Sequence, residues 1–180
     1  MTIIAMQGGL MAGGTDGVWT TATQWTPDAG GEANWTGYTF RVIVPSSALI
    51  AGSKVRLTCR ASPMQDISIV QMYVGHAAST GDAYDFESMP TAVLFGGSAL
   101  ASILTNTQTV SDPVTFAVNP AKNLIISTYV NSGRSCRIAT LSGWSTRYKT
   151  GNDASTVDAT GYSTSAYAAS LVTKIEVLVP

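Results

Sequence analysis

The sequence predicts an all-β fold, an antiparallel and jelly-roll-like β-sandwich, and three observations predict it. Several stretches alternate apolar and polar residues with period two. Few Lys and Glu stand beside many Thr, Val, Ser and Gly, a balance that favours strands and turns over long helices. Gly, Pro and Asn interrupt the apolar runs at short intervals. Of 180 residues, 45% are hydrophobic and 12% charged, against about 25% charged in an ordinary soluble domain. This length suits one core that is stable without metal or disulfide staples. High hydrophobicity at low charge also excludes disorder.

Residues 1–36, rich in Gly, Thr and Trp and weakly periodic, read as an irregular N-terminal arm, which leaves 37–180 as the sandwich domain. From Thr39 the alternation is clear: Phe40, Val42 and Val44 take one parity and Thr39, Arg41 and Ile43 the other. Pro45-Ser46-Ser47 stops that strand. In 54–60, Val55, Leu57 and Cys59 face one way, and Lys54, Arg56, Thr58 and Arg60 the other, the pattern of a half-buried antiparallel strand. Ile67 and Ile69 share one parity while Val70, Met72 and Val74 take the other, which predicts a bulge near Ile69-Val70. Ala92–Phe95 is a short strand ended by Gly96-Gly97. Val114, Phe116 and Val118 alternate up to Asn119-Pro120. Leu124–Val130 is more continuously apolar and is expected to stop at Asn131-Ser132-Gly133, with Cys136, Ile138 and Thr140 as a separate strand. The polar stretch 146–169 reads as a long surface excursion. Leu171–Val179 closes the sheet with Lys174 and Glu176 on its outer face. Roughly seven or eight short strands between turn signals indicate a sandwich or barrel.

The net charge of −1 excludes a nucleic-acid partner, which needs a basic excess to neutralise phosphates. No run of about 18 apolar residues is present to span a membrane. No Lys or Arg precedes the apolar stretch of MTIIAMQGGLMAGG, so no secretory signal is expected and synthesis in a cytoplasm is. Cys59 and Cys136 lack metal-site spacing and are read as free buried thiols, with a disulfide as the alternative. His76 is the only histidine; it has no ligand set around it and no G-x-S-x-G elbow to serve. Asp82, Asp85 and Glu87 in GDAYDFES read as a solvated loop, with calcium binding as the alternative, although EF-hand spacing is absent. No cofactor, metal site or catalytic residue is expected.

The aromatics point elsewhere. Trp19, Trp25, Trp35 and Trp144 lie in weakly patterned stretches, and Tyr148, Tyr162 and Tyr167 in the polar excursion. Trp and Tyr among Asn, Asp and Thr suit protein interfaces, or the C–H faces of sugar rings; they also suit capping the ends of a sandwich. Trp19, Trp25, Trp35, Trp144, Tyr148 and Tyr162 are therefore the candidate carbohydrate-binding or interface residues.

Two blocks carry a family resemblance. Val55-Arg56-Leu57-Thr58-Cys59-Arg60-Ala61-Ser62 is similar to a V-R-L-R-x-S-N strand. Ala92-Val93-Leu94-Phe95-Gly96-Gly97-Ser98, Val110-Ser111-Asp112-Pro113-Val114-Thr115-Phe116-Ala117-Val118 and Leu124-Ile125-Ile126-Ser127-Thr128-Tyr129 follow in order. Together, over about residues 38–130, they resemble a β-sandwich accessory module that stands beside SGNH/GDSL-type hydrolases. The resemblance implies a jelly-roll-like sandwich of accessory or carbohydrate-binding role. The G-D-S-L and D-x-x-H blocks of the hydrolases are missing, so their activity is not carried over.

A nearly neutral sandwich rich in Gly, Ser, Thr and Ala is expected to be a non-enzymatic structural or adhesion protein of a phage or phage-like particle. Head decoration, spike and tail-fibre component are its forms, and host-surface glycan its ligand class. Synthesis in the host cytoplasm and a place in the virion follow. The expected partners are other virion proteins or further copies in a homo-oligomer, with the arm docked on a neighbour and the sandwich pointing outward. The alternative is a secreted carbohydrate-binding accessory module; a carbohydrate esterase comes third.

Overall fold

A computed structural model gives the fold and describes residues 17–180. The described residues form fourteen strands. The first seven are β1 (Val18–Gln24), β2 (Glu32–Asn34), β3 (Tyr38–Val44), β4 (Gly52–Arg60), β5 (Ile67–His76), β6 (Thr91–Ala92) and β7 (Ala101–Ile103). Then come β8 (Gln108–Val110), β9 (Val114–Val118), β10 (Leu124–Ile138), β11 (Ser145–Thr150), β12 (Ser163–Thr164), β13 (Ala169–Ser170) and β14 (Val172–Val179). Apart from one 3-10 turn at Ser46–Ala48, regular structure among the described residues is all β. No helix there is long and apolar enough to cross a membrane.

The strands form two antiparallel sheets. The smaller runs β1-β14-β4-β8, with β9 also on β4. The larger runs β12-β11-β3-β10-β5-β6, with β2 and β13 on β10 and β7 on β5. From β3 to β4, β5–β7, β8–β9, β10–β13 and β14 the chain passes back and forth between the two sheets, the path of a jelly roll. Phe40, Val42, Leu57, Cys59, Ile69, Met72, Leu124, Ile126, Ile175 and Val177 fill the space between the sheets. On β4 the alternation is as predicted: Val55, Leu57 and Cys59 are wholly buried, while Lys54 and Arg56 turn outward. The bulge is also where the parity switch puts it: β10 Tyr129 and Val130 pair with Gln71 and Ile69, stepping over Val70.

Three expectations are corrected. The described part of the arm, residues 17–36, belongs to the sandwich. β1 lies antiparallel on β14, with Val18 opposite Val179, and β2 pairs with β10. Trp25 and Trp35 enter the main core. Its period is weak because small Thr and Ala side chains fill an edge strand, where burial contrast is low. Residues 1–16 lie outside the described residues. Second, Asn131-Ser132-Gly133 bends a strand rather than ending it. β10 continues to Ile138 through two register shifts. Gly133 sits at φ 107°, and a Cβ there would come within 2.0 Å of the Asp66 carbonyl oxygen, so only glycine lets the strand pass. Third, the excursion is structured: Ser145–Thr150 is β11 on β3, and the residues beyond it pack back onto the large sheet.

That packing makes a second layer. Thr39, Arg41, Ile43 and Ile125 point away from the main core, yet all four are buried. Tyr84 and Phe86 from one loop, and Ala159 and Tyr162 from another, close over Ile43 and Ile125. Arg41 is their centre. Its Nη1 donates to the Tyr84 carbonyl at 2.6 Å, and its Nη2 to the carbonyls of Thr156 at 2.5 Å and Asp153 at 3.2 Å. The guanidinium lies 4.6 Å from the Phe86 ring centre and 5.0 Å from that of Tyr162.

Candidate functional site

Four aromatic residues of the sandwich, Trp35, Tyr38, Tyr148 and Tyr167, gather near β11 on the large sheet. Trp35 follows β2 and forms the floor there. One side of its indole stacks on Phe40 at 4.5 Å, and its Nε1–H donates to the Ser135 hydroxyl at 3.0 Å. Three half-buried tyrosines stand around it. Tyr148 on β11 lies 6.0 Å from the Trp35 ring and Tyr167 6.5 Å, nearly perpendicular to it. Tyr38, at the start of β3, meets Tyr148 edge-on at 5.8 Å. Asn34, Thr164, Ser165 and Ala166 complete the walls of an open groove of about 540 Å³, within the usual range of about 300–1,000 Å³ for small-ligand sites.

Position follows from strand geometry. Tyr38 shares its parity with Phe40 and Val42, but it sits at the end of β3, where the core gives way to solvent. Tyr148 is directly opposite Phe40 on the neighbouring strand. Tyr167 belongs to the short return between β12 and β13, and Arg137 covers one of its faces at 4.6 Å. That guanidinium is itself paired with Asp28 at 2.9 Å. The eight lining residues carry no charge. They offer π faces, hydroxyls and one amide, a chemistry that suits a ligand with both apolar C–H surfaces and hydroxyl groups.

Of the six residues singled out in the sequence, the structure brings two together here, Trp35 and Tyr148. Trp19 lies apart on β1, its ring 4.5 Å beneath the Arg56 guanidinium. Trp25 and Trp144 are buried in the main core. Trp25 is not a surface platform, because it closes the space between the sheets; Trp144 packs in the same core and also lines a small hollow beside Tyr167. Tyr162 is buried in the second layer against Arg41, and burial pushes its phenol up to about 12. Sequence reasoning missed Tyr38 as a site residue and left Tyr167 out of the candidate set. For Tyr38 the available signal was a tyrosine opening a strand three residues after a tryptophan.

The remaining candidates are occupied by structural work. The His76 Nε2 accepts from the Asn119 backbone N–H at 3.1 Å, and the ring lies 4.9 Å from Phe116. Asp85 is buried; its carboxylate accepts the backbone N–H groups of Asp82 at 2.8 Å and Ala159 at 3.0 Å. Asp82 accepts the Tyr84 hydroxyl at 2.7 Å, and this bond raises the Tyr84 pKa. Glu87 pairs with Lys122, whose hydrogen bond lowers the Glu87 pKa. The GDAYDFES acids therefore brace the loop over the second layer. Cys59 and Cys136 are both free and buried. No family model matches the sequence, and neither does any curated protein.

Proposed function

We propose that the protein is a non-enzymatic adhesion and structural component of a phage or phage-like particle that binds host-surface glycan through the Trp35–Tyr38–Tyr148–Tyr167 groove. The groove itself carries this reading: an aromatic floor and walls, lined with hydroxyls and free of charge. Sugar rings present C–H faces to such π surfaces while their hydroxyls reach polar walls. Glycoside hydrolysis by the usual route needs a pair of carboxylates, and the groove lining has none. The particle setting rests on the low charge and the Gly-, Ser- and Thr-rich composition. The resemblance over 55–62 and 92–129 favours a second setting for the same site, an accessory module that acts beside a hydrolase.

A glycan array probed with the labelled full chain tests the binding. Tyr148→Ala and Tyr167→Ala each remove a half-exposed ring, and each is expected to weaken the best signal about tenfold, or about 1.4 kcal/mol, in a protein that still melts cooperatively. An array without signal, or one that neither variant alters, refutes the reading. Genes for capsid and tail proteins beside the coding sequence support the particle setting, and a hydrolase gene there supports the accessory one.

A further inference from the structure

We infer that the groove is one of two adjoining subsites and that its ligand is a neutral oligosaccharide laid across the 165–167 segment; this rests on the glycan reading above. A second hollow of about 340 Å³ adjoins the first. Ser165, Ala166 and Tyr167 line both hollows. The far side of the second is formed by Thr140, Leu141, Ser142 and Trp144. Each hollow alone falls within the usual range of about 300–1,000 Å³ for small-ligand sites. A single ring fills one of them, and a chain of rings is needed to occupy both.

The chemistry repeats across the divide. Each hollow has an indole at its base, Trp35 in one and Trp144 in the other, and serine or threonine hydroxyls on its walls. A sugar chain presents the same alternation of C–H face and hydroxyl edge at every unit. No residue lining either hollow is charged. Of the cations beside them, Arg137 is paired with Asp28, and Arg147 donates to the Thr164 hydroxyl. A uronate or sialate would lose hydration at its carboxylate and meet no cation among the lining residues, so the lining favours uncharged units.

Calorimetric titration of the full chain tests this with ladders of one to six units: α-1,4-glucose, β-1,4-glucose and β-1,4-N-acetylglucosamine, with oligogalacturonate as the charged control. The expected result is a rise in affinity of about tenfold or more between one unit and four in a neutral ladder, and none for oligogalacturonate. Thr140 is exposed on the rim of the second hollow. Thr140→Trp fills the second hollow and is expected to abolish the gain with length. Binding without a length gain, a gain that survives Thr140→Trp, or preference for oligogalacturonate overturns the two-subsite inference and leaves the glycan reading standing. No binding by any ladder, together with an empty array, overturns both.

Discussion

Arg41 is a charged side chain with no exposed surface and no carboxylate among its hydrogen-bond partners. Three carbonyls and two aromatic faces stand in for water. Those carbonyls come from two different loops, so one guanidinium holds both onto the large sheet. Arg41→Ala strands all three acceptors, and about 3 kcal/mol of stability is expected to go with them. The loss should be local first: limited proteolysis is expected to open 78–87 and 151–162 before the sandwich unfolds. Uniform protection of both loops in the variant would contradict this. In the sequence Arg41 reads as the outward member of an alternating strand. Ile43 at the same parity was the one sign that the outer face is covered, and the cover comes from loops far along the chain. The thiols were more legible, since Cys59 and Cys136 sit inside apolar runs. Burial pushes the Cys59 thiol up strongly and that of Cys136 to about 12. Neither should react with a disulfide reagent near pH 8 in the native protein, and both should react in denaturant. Rapid native labelling would show that the sheets part readily at this point.

The outer face of the small sheet is held by charge. Glu176 on β14 receives Arg56 of β4 at 3.0 and 3.1 Å, and Lys174 at 2.9 Å. The Arg56 hydrogen bond, assisted by Lys174, holds the Glu176 carboxyl below its ordinary value. Its stabilisation is therefore complete above the unfolded pKa of about 4.3 and drains away as pH falls through the lower folded value. Urea midpoints measured from about pH 6 to about pH 2.5 should fall less steeply for Glu176→Gln than for the parent. Equal slopes would mean that the triad contributes nothing across β4 and β14. Strand by strand, the sequence spoke most clearly where one face is buried and the other wet, as on β4 and β14. The Ile69–Val70 switch announced its bulge for the same reason. It misled at Asn131-Ser132-Gly133, because a glycine that lets a strand pass close to Asp66 looks the same as one that ends a strand. β1 was silent: Thr and Ala have too little contrast to reveal an edge.

At the scale of the molecule, the first described strand is tied to the last. Deleting residues 1–36 removes β1, β2, Trp25 and Trp35 together. The expected outcome is a chain without a cooperative melt, followed by circular dichroism and calorimetry; a truncated sandwich that still melts sharply would restore the picture of a detachable arm. The fold class was open to sequence reasoning because it depends on period and punctuation. The groove was open only in part. Trp35 and Tyr148 stood out by residue type. Their meeting with Tyr38 and Tyr167 depends on strand register and on the return after β12, which no local pattern encodes.

The pairing of β1 with β14 also bears on how the protein is made. A ribosome adds about 5–20 residues per second, so β1 waits on the order of 10–30 seconds for its partner. Over that interval the inner face of β4 has neither β14 beside it nor a finished sheet around it. Val55, Leu57 and Cys59 are then open to whatever else is in the cell. The nascent chain is a natural client for a chaperone that shields apolar strands. Its yield in a foreign host should depend more on that supply than on the stability of the finished sandwich.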